Sequence, residues 1–128
     1  MNKINSHLDF YSQALRLRSR RNEVLASNIA NAATPNFKAR DLDFDTEIRR
    51  QIKQGPLQTT DQQHFPTNVA PGSEKMMYRD PINPSLDGNT VEMGVEQMEF
   101  SENVMRYQTT LQFLNGRITG LMSAIRGE

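Results

Sequence analysis

Apolar residues in the last quarter of the chain recur in alternating steps of four and three, at Phe100, Val104, Tyr107, Leu111, Leu114, Ile118, Leu121 and Ile125. No position in that series is polar. At 3.6 residues per turn the spacing draws one narrow, nearly straight apolar seam down a helix, the pattern of a coiled-coil strand and not of a broad globular face. The N-terminal part repeats it at Ile4, Leu8, Tyr11, Leu15, Arg18, Asn22, Leu25 and Ile29. Arg18 and Asn22 interrupt this second seam at mid-length, where a polar residue weakens pairing but fixes register and partner number. A slight rotation of the helix would instead turn Leu17, Arg21 and Val24 inward, and periodicity alone leaves both stripes open.

The first helical pattern begins at Ser6, with Ser6 or Asn5 as N-cap and Asp9 at the capping-box position. It ends near Ala33, because Pro35 biases Thr34 away from the helical region and lacks a backbone donor. A second helix is expected from about Glu92 to Ile125, after the turn signal Asp87-Gly88-Asn89 and with Thr90 as its cap. At 1.5 Å per residue the two helices run roughly 40 and roughly 50 Å, longer than most globular helices. All six prolines fall between Pro35 and Pro84, so the intervening stretch reads as irregular and mobile, relieved by a short amphipathic piece from Phe44 to Ile52. The expected fold is therefore all-α: N- and C-terminal helices in residues 1–33 and 91–128 pair as an antiparallel coiled-coil hairpin, and residues 34–90 join them.

Charge supports that pairing. Lys3, Arg16, Arg18, Arg20 and Arg21 outnumber Asp9 and Glu23 in the first helix, whereas glutamates at 92, 96, 99, 102 and 128 outnumber Arg106, Arg117 and Arg126 in the second. Acids in the first turns and Arg126 in the last also complement the helix dipole. Over the whole chain, 15 basic residues balance 15 acidic ones, so no net field draws it to nucleic acid or an anionic surface. The arginine run 16–21 spreads around more than half a helix and comes without a base-reading motif, which favours a solvated or partner-facing surface over phosphate binding.

At 36% hydrophobic and without tryptophan, 128 residues build only a thin core. There is no cysteine, and His7 and His64 stand apart, so neither disulfides nor a recognisable metal site is expected. No nucleophile–base–orienter pattern occurs, and no enzymatic activity or cofactor is expected. Met93, Met98 and Met105 read as ordinary packing residues. Asn28 and Asn31 lie three apart on one face among Ala26, Ala30, Ala32 and Ala33. Small residues let another backbone approach and amides can bond to it, which points to a contact between subunits. A frayed helix end that tolerates polar residues is the competing reading. The N-terminus carries no basic-then-apolar secretion segment, and no apolar run is long enough to cross a bilayer.

The run from Leu25 to Asp41, Leu-Ala-Ser-Asn-Ile-Ala-Asn-Ala-Ala-Thr-Pro-Asn-Phe-Lys-Ala-Arg-Asp, resembles the N-terminal signature of the bacterial flagellar rod, hook and related axial proteins. A second run, Tyr78 to Met93, together with Arg106-Tyr107-Gln108, is similar to the C-terminal half of the short proximal rod members of that family. Two positions depart from the usual pattern: Asn36 stands where glycine is common, and Gly94 where an acid is common. Asparagine tolerates the left-handed backbone that glycine supplies. Gly94 weakens the helix start by roughly 0.5–1 kcal/mol relative to alanine.

The resemblance implies a structural, non-enzymatic subunit of the basal body. It implies export through the flagellar type III apparatus without a cleavable signal peptide, and assembly into the periplasmic rod that transmits torque from motor to hook. Implied partners are other copies of the chain, rod proteins of the FlgC and FlgF type, the adaptor FliE, the MS ring and the export gate. Subunit contacts are expected at Leu25, Asn28, Ile29, Asn31, Thr34, Pro35 and along the seam from Phe100 to Ile125. The rival from another class is a soluble cytosolic coiled-coil adaptor or export chaperone.

Overall fold

The computed structural model describes residues 2–53 and 74–127, with side chains for 7–50 and 74–127. Five elements follow in order: α1 (Asn2–Ala30), β1 (Arg40–Leu42), α2 (Phe44–Lys53), β2 (Met76–Tyr78) and α3 (Met93–Arg126). Among the described residues three helices predominate, but the fold is not all-α. β1 and β2 form a two-stranded antiparallel sheet with Arg40 opposite Tyr78, Asp41 opposite Met77 and Leu42 opposite Met76. Strands of three residues are too short for an alternating pattern to announce them. They form because Ala39 and Leu42 are buried, and buried backbone donors and acceptors need partners. Of the expected irregular middle, residues 54–73 lie outside the described residues.

α1 and α3 lie along each other with contacts in reversed sequence order. Asn28 meets Glu96, Arg21 meets Glu99, and Asn22 meets Asn103. Leu8 shares a groove with Gly116 and Leu121. The direction is therefore antiparallel. α1 begins at Asn2 and ends at Ala30, three residues before the expected Ala33, because the chain tightens there: Ala32 and Thr34 donate to carbonyls three residues back, Ile29 and Asn31. α3 starts at Met93, with Glu92 at the N-cap, and ends on Gly127 in the left-handed region, whose N–H reaches the Ser123 carbonyl. Thr90 is not the cap. Its hydroxyl accepts the Ala39 N–H at 2.8 Å, and its own N–H donates to the Phe37 carbonyl.

Both candidate stripes of α1 are used, for different neighbours. Ala14 and Leu17 are buried with Leu42 of β1 and Ile48 of α2, against the partly buried Phe44. Arg18 and Asn22 point at α3 instead, where the amide of Asn103, fully buried, donates to the Arg18 carbonyl and the Asn22 side chain, each at 2.8 Å. The Arg18 guanidinium also lies 4.1 Å from the centre of the Phe44 ring. The polar interruption of the first seam thus fixes register inside the chain. α2 confirms the amphipathic piece near Phe44 and extends it to ten residues. Asp43 caps it by accepting from the Thr46 N–H and hydroxyl.

Candidate functional site: a polar node and an open seam

Six polar side chains, from α1, β1, α3 and the residue just past β2, converge where the terminal helices meet the small sheet. Arg21 of α1 grips Asp41 of β1 with two hydrogen bonds, 2.9 and 2.8 Å, and also reaches Glu99 of α3 at 2.8 Å. Arg79, just past β2, joins the same Asp41 to Glu96 of α3. Glu96 is fully buried, and its second oxygen accepts from Asn28 at 3.0 Å. Burial works against charge on Asp41, but hydrogen bonds from Arg21, the Leu42 N–H and Arg79 outweigh it and hold the carboxyl below its ordinary range. Arg21 is held above its ordinary value, chiefly by the Asp41 hydrogen bond and against burial.

Asn28 acts here as a surrogate strand. Its amide donates to the Arg40 carbonyl at 2.7 Å and its oxygen accepts the Arg40 N–H at 3.1 Å. That exchange is the one a neighbouring β residue would make, and it satisfies a backbone edge that would otherwise be buried unpaired. Asn28 is 1% exposed, so its hydrogen bonds are made within the chain. Asn31 sits half-buried on the rim, donating to the Ser27 carbonyl and accepting from Thr34. The helix end is neither frayed nor free.

What holds that end is a residue the sequence reading passed over as part of a turn. The buried side chain of Asn89 donates toward the carbonyls of Asn31, Ala32 and Thr34 at 3.1, 2.8 and 3.0 Å. Those include acceptors that a helix C-terminus leaves without partners. The connecting turn passes through Asn36 at φ 60°, the left-handed conformation expected when asparagine replaces glycine. Gly88 at φ 73° packs so close that a Cβ there would lie 2.6 Å from the Asn36 amide oxygen. Within the signature, Leu25 is buried and Ile29 half-buried, while Thr34 and Pro35 are exposed.

The C-terminal seam is left partly open. Phe100, Val104, Tyr107, Leu114 and Leu121 are half-buried; Leu111, Ile118 and Ile125 are 38%, 40% and 84% exposed. The only buried residues of α3 are Glu96 and Asn103. Met93, Met98, Met105, Phe113 and Met122 are exposed too. Met93, Met98 and Met105, expected to pack, are instead 41%, 61% and 63% exposed.

The functional content is therefore structural: a turn and a node that orient two long helices, and an apolar face along one of them. Among the described residues no group of acids and histidines is arranged to hold a metal ion, and no helix is long and apolar enough to cross a membrane. Comparison with known proteins agrees. The sequence model described as flagella basal body rod protein matches residues 8–38. Flagellar basal body rod protein FlgB of Cereibacter sphaeroides (strain ATCC 17029 / ATH 2.4.9) is 56% identical over the full length of both chains. FlgB of Escherichia coli K12 is 41% identical over 98% of this chain and 97% of its own, and that of Salmonella typhimurium LT2 38% over 99% and 98%. The chain belongs to the FlgB family of flagellar basal body rod proteins, and is a structural subunit of that rod and not an enzyme.

Proposed function

We propose that the chain builds the proximal rod through its terminal helices, which pair as a coiled-coil hairpin and then meet neighbouring subunits along the α3 seam. The observation that carries this reading is the half-covered seam: α1 leaves Leu111, Ile118 and Ile125 open to water, and such an apolar stripe calls for another helix. Residues 1–33 and 91–128 form the axial unit, and residues 34–90 join its two halves. On the signature side, Ile29, Asn31, Thr34 and Pro35 supply the contact surface, and Leu25 and Asn28 act from beneath by holding its shape. A family resemblance supports the finer partners: other copies, FlgC- and FlgF-type rod subunits, FliE, the MS ring and the export gate. The same resemblance supports export without a cleavable signal peptide into the periplasm, where the rod carries torque from motor to hook.

Recovery of the chain in purified basal bodies tests the location, and a purely cytosolic pool in motile cells would overturn it. Leu114→Asp tests the seam. The variant is expected to be exported but not assembled, leaving cells non-motile, and normal swimming would remove the seam from the interface.

A further inference from the structure

The two-stranded sheet has one edge covered and one open. In an antiparallel pair, opposed residues turn their N–H and C=O groups either toward each other or away together. Arg40 turns both of its groups away, into the side chain of Asn28 at 3.1 and 2.7 Å. Tyr78 stands opposite Arg40, so its own N–H and C=O point to the far side of β2, as do those of Met76 two residues earlier. Among the described residues no group pairs with them there. Sheets commonly blunt such an edge with charge or proline, yet Met76-Met77-Tyr78 carries neither. Met77 and Tyr78 are 45% and 70% exposed.

The side chains beside that edge favour one kind of neighbour. Side chains alternate across a sheet, so Met76, Tyr78 and Arg40 share a face. The Arg40 guanidinium lies over the Tyr78 ring, 5.7 Å from its centre, which carries a positive charge to the open edge. Arg20 nearby is engaged by Glu23 at 2.6 Å, whereas no carboxylate among the described residues pairs with Arg40. Met76 and Arg40 also line a hollow of about 250 Å³ together with Val24 and Phe37. A second copy of β2 fits this edge poorly. The antiparallel register that uses both Met76 and Tyr78 sets Lys75 against Arg79 and Glu74 against Asp80, like charge against like.

We propose that β2 is a docking edge for an extended segment of a different polypeptide, which adds a third, antiparallel strand to the sheet. That segment carries an acidic residue opposite Tyr78, beside Arg40, and an apolar residue opposite Met76, toward the hollow. Main-chain hydrogen bonds to Met76 and Tyr78 supply the attraction, and the alternate side chains supply the choice of partner. The edge belongs to the folded chain, so it stands or falls independently of the rod reading above.

Amide hydrogen exchange of the full chain, followed by NMR, tests it with the synthetic peptide acetyl-Thr-Val-Thr-Glu-Thr-Val-Thr-amide, whose glutamate and valines fall on one face of a strand. Without peptide the Met76 and Tyr78 amides are expected to exchange freely; protection already present would mean that the chain covers its own edge, and overturns the proposal. Peptide at millimolar concentration is expected to shift both amides and slow their exchange at least about tenfold. Only alternate N–H groups of an added strand face β2. Peptide N-methylated at the glutamate and valines should therefore lose binding, and peptide N-methylated at the threonines should keep it. Exchanging the peptide's glutamate for lysine is expected to weaken binding about tenfold, and Arg40→Glu to reverse that preference with the circular dichroism of the chain unchanged, because the Arg40 side chain is exposed. Unmoved Met76 and Tyr78 amides, an equal response to the two methylated peptides, or a charge preference that Arg40→Glu leaves as it was would each overturn strand addition.

Discussion

The two ends of the α1–α3 pair are built on opposite principles. Around Asn28 and Glu96 the interface is polar, buried and fully partnered, with Arg21, Asp41, Arg79 and Glu99 completing the set. Toward Leu8 and Leu121 it is apolar, open and half-used, and Ile118 and Ile125 face water. Apolar contact is indifferent to rotation and small shifts, whereas a node of directed hydrogen bonds accepts one geometry. The polar end therefore specifies how the helices cross, and the apolar end is the face that the proposed rod packing would use. An assembling protein needs both, and needs them apart, because a monomer that satisfied its own seam would have no face to offer.

Glu96→Ala would break this contrast most severely. It removes a buried acceptor from Arg79 and Asn28, leaving a cation in a site of low solvent access, and is expected to cost about 3–5 kcal/mol. Urea unfolding of the isolated chain followed by circular dichroism measures the loss. A change below about 1 kcal/mol would mean that the node does not organise the fold. Asn28→Ala comes next, at about 2–3 kcal/mol, since it strands both the N–H and the carbonyl of Arg40. Added to Asn31→Ala, it separates burial from surface contact: Asn31→Ala alone should leave stability within about 0.5 kcal/mol.

These two asparagines also show how far the sequence could be read. Their spacing among small residues marked a place where something approaches closely, but the approaching backbone is the chain's own, at Arg40. Residues twelve apart with a turn between them share no periodicity, so a contact of this kind leaves no pattern. Asn89 and Asn103 were missed for the same reason: one caps α1 from 57 residues away in sequence and the other reads α1 from α3. Both terminal helices, α2, the stop near Pro35 and the left-handed Asn36 were legible, because propensity and backbone sterics act over a few residues. The three-residue strands were not, since their stability comes from pairing and from Asn28. The seam was legible as a stripe. Which part of it α1 would cover was not, because that depends on the crossing imposed by the node.

A smaller effect sharpens the electrostatic side of the comparison. The folded Asp41 carboxyl titrates below its unfolded counterpart, whose value is about 3.9. Its contribution is thus fully present above that value and is lost as pH falls through the lower, folded one. The unfolding midpoint of the isolated chain should decline below about pH 4, and Asp41→Asn should flatten that part of the profile. An unchanged acid slope in the variant would assign the decline to other carboxylates.

At Ile118 the isolated chain is expected to change little, whereas the consequence for assembly is large. Ile118 lies on the open side of α3 and is 40% exposed, so Ile118→Asp removes little packing and strands no buried partner. Its unfolding free energy should stay within about 0.5–1 kcal/mol of the parent. Placed in a helix–helix interface, the same carboxylate must lose its water without gaining a counter-ion, which is costly enough to prevent association. The variant should therefore fold normally, with the parent's denaturation curve, and fail to enter basal bodies. If it assembled, the open half of the seam would face solvent in the rod as well, and the division between a specifying end and an adhesive end would fall. If it unfolded, the seam would belong to the core of the monomer, and the same division would fall from the other side.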